Sequence, residues 1–138
     1  MAATVRPMRE LEKTEKITIN LGLVDLGQVD LLVREGFYTN RTDFIRTAIR
    51  AQLAANAGKV DQSAARRTMT LGTAHYGRHD LEEIRARGQT VELRVIGLAS
   101  LADDVTPELA LDTITAVEVL GAFRASPAVK AALAPRTV

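Results

Sequence analysis

Cysteine and tryptophan are both missing from this 138-residue chain, which has two tyrosines and three phenylalanines. Without thiols there are no disulfides and no thiolate metal sites, so composition leaves the redox compartment open, and the core must be mainly aliphatic. Long apolar runs are missing too. Charges interrupt each one well before the roughly 20 residues that a membrane helix needs, and the opening MAATVRPMRELEKTEK has no apolar stretch like that of a signal peptide. The expectation is a soluble, cytoplasmic protein with no membrane partner. No GxGxxG or GKS/GKT phosphate loop and no nucleophile motif occurs, so no enzyme, no catalytic residue and no cofactor is expected. Asp103-Asp104 and Glu82-Glu83 are adjacent in sequence, which suits surface charge rather than an acid/base pair. His75 and His79 would share one face of a helix as metal ligands, but Gly77 and the strand pattern before it put them on a loop, and no metal site is expected.

What is present is unevenly spread. The formal net charge is only +1, yet residues 1–67 hold eleven basic against eight acidic side chains, a local +3, and the remainder holds seven against nine, a local −2. That asymmetry permits a basic N-terminal face. Residues 1–15 alternate charges without an apolar period and suggest a flexible arm. Lys16-Ile17-Thr18-Ile19-Asn20-Leu21 then alternates polar and apolar residues strictly, the period of a strand with one buried face. From Leu23 to Glu35, Leu26, Val29, Leu32 and Val33 recur at helical spacing, and Gly36 supplies the stop. A second helix is expected from Asn40, whose side chain can cap it while Asp43 reaches back as the capping-box partner. It carries Phe44, Ile45, Ala48, Ile49 and Leu53 on one face and runs to about Ala55, where Asn56-Ala57-Gly58 breaks it. A segment of this size buries little apolar surface alone, which favours an oligomer.

The stretch Lys16–Leu53 resembles the ribbon-helix-helix family of bacterial and phage DNA-binding proteins, in its CopG-like branch. The resemblance rests on KITINL as the ribbon, on two helices of suitable length with Gly36 ending the first, and on TNRTDFIRTAIR as the start of the second. It covers about a quarter of the chain and concerns the N-terminal part. It implies an intertwined homodimer in which one strand from each chain pairs antiparallel and the resulting ribbon enters the major groove of double-stranded DNA. Alternation then divides the strand. Ile17, Ile19 and Leu21 face the dimer core together with Val29, Val33, Ile45 and Ile49, and Lys16, Thr18 and Asn20 face the bases. Those residue types suit base readout, since Lys donates to guanine, Asn bonds adenine bidentately, and Thr offers a hydroxyl or meets a thymine methyl. The amides at Asn40, Arg41 and Thr42, opening the second helix, are suited to a phosphate. Arg46 and Arg50 suit a solvated helix face. Many family members have proline after the ribbon where this chain has Gly22, and Leu23, Val24 and Leu31 are more apolar than is usual there, suggesting an extra contact surface.

The C-terminal half carries an internal repeat registered by Gly72, Gly97 and Gly121. MTLGTAHYGRHDLEEIRARG, RVIGLASLADDVTPELALDT and EVLGAFRASPAVKAALAPR each suggest a short apolar strand ending in glycine, a small-residue stretch and a helix. Thr106-Pro107 and Ser126-Pro127 open the last two helices with a hydroxyl cap and a proline at the first turn. The pattern predicts a solenoid-like stack with parallel strands, or else a small α/β sandwich. The expected whole is mainly α with short strands (α+β): an arm over 1–15, a ribbon-helix-helix domain over 16–56, a linker or helical turn over 57–67 and the repeat domain over 68–138. The expected function is a sequence-specific transcriptional regulator, a repressor, whose C-terminal domain serves oligomerisation beyond the dimer or partner binding. The alternatives are an antitoxin, a plasmid-partition adaptor or a polymerising structural protein.

Overall fold

The computed structural model describes residues 13–138, so most of the expected flexible arm lies outside the described residues. The elements run α1 (Leu23–Arg34), α2 (Arg41–Ala55), α3 (Ala57–Arg67), β1 (Thr70–Tyr76), α4 (Arg78–Ala86), β2 (Val91–Leu101), α5 (Pro107–Thr113), β3 (Ile114–Arg124) and α6 (Pro127–Leu133). The chain divides into two compact units, one of Lys16–Ser63 and one that contains Ala64–Val138. The segment 57–67, expected as a linker or a helical turn, is a helix throughout: Asn56 ends α2, and its carbonyl at once accepts from Val60 N–H, so a new helix begins without an intervening loop.

In the first unit, α1 ends in a Schellman turn. Gly36, at φ +84°, donates to Val33 O, and Phe37 donates to Leu32 O, so two orphan carbonyls are satisfied where only glycine adopts that backbone cheaply. Asn40 Oδ1 accepts from Asp43 N–H at 2.8 Å, as the cap requires. The Asp43 carboxylate, however, accepts from Thr39 N–H at 2.9 Å rather than from Asn40 itself. Tyr38 meets Phe44 edge to face at 5.0 Å, which pins the chain's entry into α2.

In the second unit β1, β2 and β3 form a parallel sheet in sequence order, with α4 and α5 in the connections. Leu93 and Val117 of the sheet pack with Leu81, Leu109, Ala110, Val129 and Leu133 of the helices in a mainly aliphatic core, with Tyr76 and Phe123 packed against it. The repeat glycines align: Gly72 pairs with Gly97, and Gly97 with Gly121. They do not end the strands. Each lies within one at positive φ (+137°, +139° and +115°), and the small-residue stretch after it forms the rest of the strand, so that β2 and β3 reach eleven residues each. Here the expectation of short strands ending in glycine is corrected, because a residue without Cβ can take a mirror-image backbone and let the ladder continue.

The helix starts follow local chemistry. Thr106 Oγ1 accepts from Leu109 N–H, and Ser126 Oγ accepts from Val129 N–H, each with proline following. The first copy, which lacks the hydroxyl-proline pair, closes its start differently, with the buried Asp80 carboxylate accepting from Gly77 N–H at 2.8 Å. Thr106→Ala and Ser126→Ala should each lower stability by about 1 kcal/mol in denaturant unfolding, the usual cost of a lost cap. A change within error at both positions would mean that proline alone sets these helix starts.

Candidate nucleic-acid interface

Within the first unit the segment Lys16–Leu21 has no ladder partner among the described residues of its own chain. Alternation there does not produce one buried and one wet face. Lys16, Thr18 and Asn20 are exposed, and so are Ile17 (71%), Ile19 (53%) and Leu21 (40%). Of the residues expected in a dimer core, only Val29 is buried within the chain; Val33 and Ile45 are half-buried, and Ile49 is exposed. α2 buries no residue at all. The physical reason lies in size: two helices and one unpaired extended segment offer too little of their own surface to cover these side chains. Leu23, Val24 and Leu31 on α1 are likewise exposed.

At the start of α2, Asn40, Arg41 and Thr42 stand together and exposed. The Asn40 side chain is spent on the cap. Arg41 is held by a feature that sequence reasoning does not find, a two-pronged ion pair with Asp30 on α1, Nε to Oδ1 at 2.7 Å and Nη2 to Oδ2 at 2.8 Å. The hydrogen bond from Arg41 holds the Asp30 carboxyl below its ordinary range, and Asp30 in turn raises Arg41. A lowered carboxylate favours the folded state above its unfolded value, and that contribution is lost as pH falls through the folded one; both side chains are open to solvent, so it is screened. No sequence period relates positions eleven apart across a turn, and only the α1–α2 packing brings them together. Arg46 and Arg50 are exposed, on the helix face expected to be solvated.

The two histidines have separate partners. His75, on β1, has Nδ1 2.7 Å from Ser100 Oγ on β2, whereas His79, on α4, has Nε2 2.9 Å from Glu83. Among the described residues no three or more His, Asp and Glu side chains gather as metal ligands. Also among them, no helix is long and apolar enough to cross a membrane.

An alternating, unpaired segment followed by two short helices whose apolar faces stay open is the element order expected of a ribbon-helix-helix unit. The model of the ribbon-helix-helix transcriptional regulator family matches residues 12–130, and the chain belongs to that family. The match corrects the sequence-based expectation in one respect: it covers nearly the whole chain, sheet and α5 included, and not the N-terminal part alone. Neither a curated protein nor a solved structure matches the chain significantly.

Proposed function

We propose that the protein is a sequence-specific repressor that works as a homodimer, with Lys16–Leu21 of two chains pairing antiparallel to form a ribbon in the DNA major groove. The observation that carries this reading is the double exposure of that segment in a chain of a transcriptional regulator family. Pairing covers Ile17, Ile19 and Leu21 on one side and turns Lys16, Thr18 and Asn20 toward base edges on the other, since successive side chains of a strand point to opposite faces. The major groove, roughly 12 Å wide, admits such a two-stranded ribbon. Backbone amides opening α2 at Asn40, Arg41 and Thr42 set the dimer's register on phosphate, and the C-terminal unit joins dimers or binds a partner.

Affinity selection of genomic fragments with the full-length chain tests the reading. Enrichment of short repeated or palindromic sites is the expected result; recovery that follows fragment length alone would end it. Arg41 supplies a second, quantitative check. Arg41→Ala should flatten the dependence of log affinity on log salt by about 2 for a dimer, one phosphate contact being lost per chain. Asp30→Asn, which releases the guanidinium, should strengthen binding and steepen that dependence. Equal salt slopes for all three proteins would remove Arg41 from the phosphate contacts.

A further inference from the structure

The aligned glycines of the sheet make a one-directional lock. A Cβ on Gly97 would collide with the carbonyl oxygen of Gly72 on β1, and a Cβ on Gly121 would collide with the carbonyl oxygen of Gly97 on β2. Each glycine therefore keeps a slot into which the previous strand's glycine carbonyl fits. Gly72 has the same unusual backbone, φ +137°, yet nothing lies within 4 Å of the place where its Cβ would be. Its slot faces the outer edge of β1 and holds no described atom. At the opposite edge Gly121, in the same conformation family, has no following strand paired to it among the described residues.

A second observation concerns the residue before each glycine. Leu71, Ile96 and Leu120 are in register across the sheet. Ile96, flanked on both sides, is half-buried, whereas Leu71 is 60% and Leu120 54% exposed. The apolar row stops at both edges. A third observation concerns how much of the β3 edge is open. Thr137 bridges to Val117, and Val138 N–H donates to Val117 O, so the chain's own last residues take the beginning of that edge. The stretch from Val119 to Arg124 follows this bridge, and at its end the Arg124 guanidinium donates to Thr14 O and Glu15. Since β1 pairs with β2 only from Val95 onward, two residues before the glycine, a strand like β1 placed on β3 would begin at Val119, beyond the bridge.

We propose that copies of this chain join head to tail, the β3 edge of one pairing in parallel with the β1 edge of the next, with Gly121 O seated in the Gly72 slot. Extension of the observed register places Leu120 beside Leu71 of the next copy and Val119 beside its Thr70. A second copy is the occupant that the edge chemistry selects, because β3 presents both the glycine carbonyl and the leucine that the β1 edge leaves unanswered. Open strand edges are templates for further pairing. The two edges differ, so the contact is heterologous and propagates instead of closing on itself as a pair. This inference builds on the reading of the C-terminal unit as the part that joins dimers, and it names the surface and the direction.

The test uses the full-length protein with Leu71→Lys and Leu120→Lys, both at exposed positions, and mass measurement by sedimentation over a thousandfold range of concentration. Wild type should exceed the dimer as concentration rises, each variant should stop at the dimer, and mixing the two variants should restore the larger species, because each keeps the edge that the other lacks. Since the chain has no cysteine, Leu71→Cys and Leu120→Cys proteins provide an independent reading: neighbouring strands lie within disulfide reach, so the two should cross-link to each other under mild oxidation far faster than either does to itself. A wild type that stays dimeric at every concentration, variants that assemble like wild type, or cross-linking no faster in the mixture would each overturn the head-to-tail contact. Loss of DNA selectivity on replacing Lys16, Thr18 and Asn20 by alanine with assembly intact, or the reverse, separates failure of this contact from failure of the ribbon reading.

Discussion

Replacement of Lys16, Thr18 and Asn20 together by alanine is expected to lower affinity for the selected site by about a thousandfold or more and to leave only non-specific binding. Base contacts of this kind discriminate by about 1–3 kcal/mol each, and a dimer presents the set twice. Even the low end of that range, summed, is comparable with the whole gap of about 10³ or more that commonly separates specific from non-specific binding. All three positions are exposed, so the fold should not change, and in the proposed dimer Ile17, Ile19 and Leu21 would still hold the two chains together. Titration of labelled duplex, selected site against scrambled site at several salt concentrations, gives both quantities at once. A triple variant that discriminates like wild type would mean that the exposed face of Lys16–Leu21 does not read DNA.

The second large effect belongs to the sheet. Gly97→Val should destabilise the C-terminal unit by about 3 kcal/mol or more, because two costs coincide: a branched residue at φ +139°, and a Cβ driven into the backbone carbonyl of Gly72. In a unit of this size that corresponds to a fall in Tm of roughly 12 °C or more. Gly72→Val is the control, both changes being made in the Leu120→Lys background that leaves the β1 edge unpaired, since it meets the same backbone penalty without the collision. Its cost should be confined to about 1–3 kcal/mol of conformational strain. Calorimetry of both proteins distinguishes the terms. If Gly97→Val proves no worse than Gly72→Val, the close approach of the strands at these glycines contributes nothing to stability.

Much of the fold is legible in the sequence. Gly36 after an apolar period of helical spacing, the Asn40 cap and the two hydroxyl-proline pairs are local instructions, enforced by backbone sterics and by hydrogen bonds spanning three or four residues. For that reason the bounds of α1 and α2 and the starts of α5 and α6 follow from them closely. The spacing of Gly72, Gly97 and Gly121 likewise announces units of one strand and one helix. Where those glycines sit within the strands is not legible, because glycine is also a common stop signal and nothing local tells a strand end from a strand centre at positive φ.

The sequence by itself determined where helices begin, which residues alternate over Lys16–Leu21 and that the N-terminal apolar set is too large for one short unit to cover. Tertiary structure decided the remainder. Only packing of α1 on α2 tied Arg41 to Asp30, and only the pairing of three strands turned evenly spaced glycines into a ladder in which each carbonyl fills the next residue's missing side chain. Both depend on groups brought together across a chain reversal or across neighbouring strands, where no short-range period operates and only the folded backbone sets the distances.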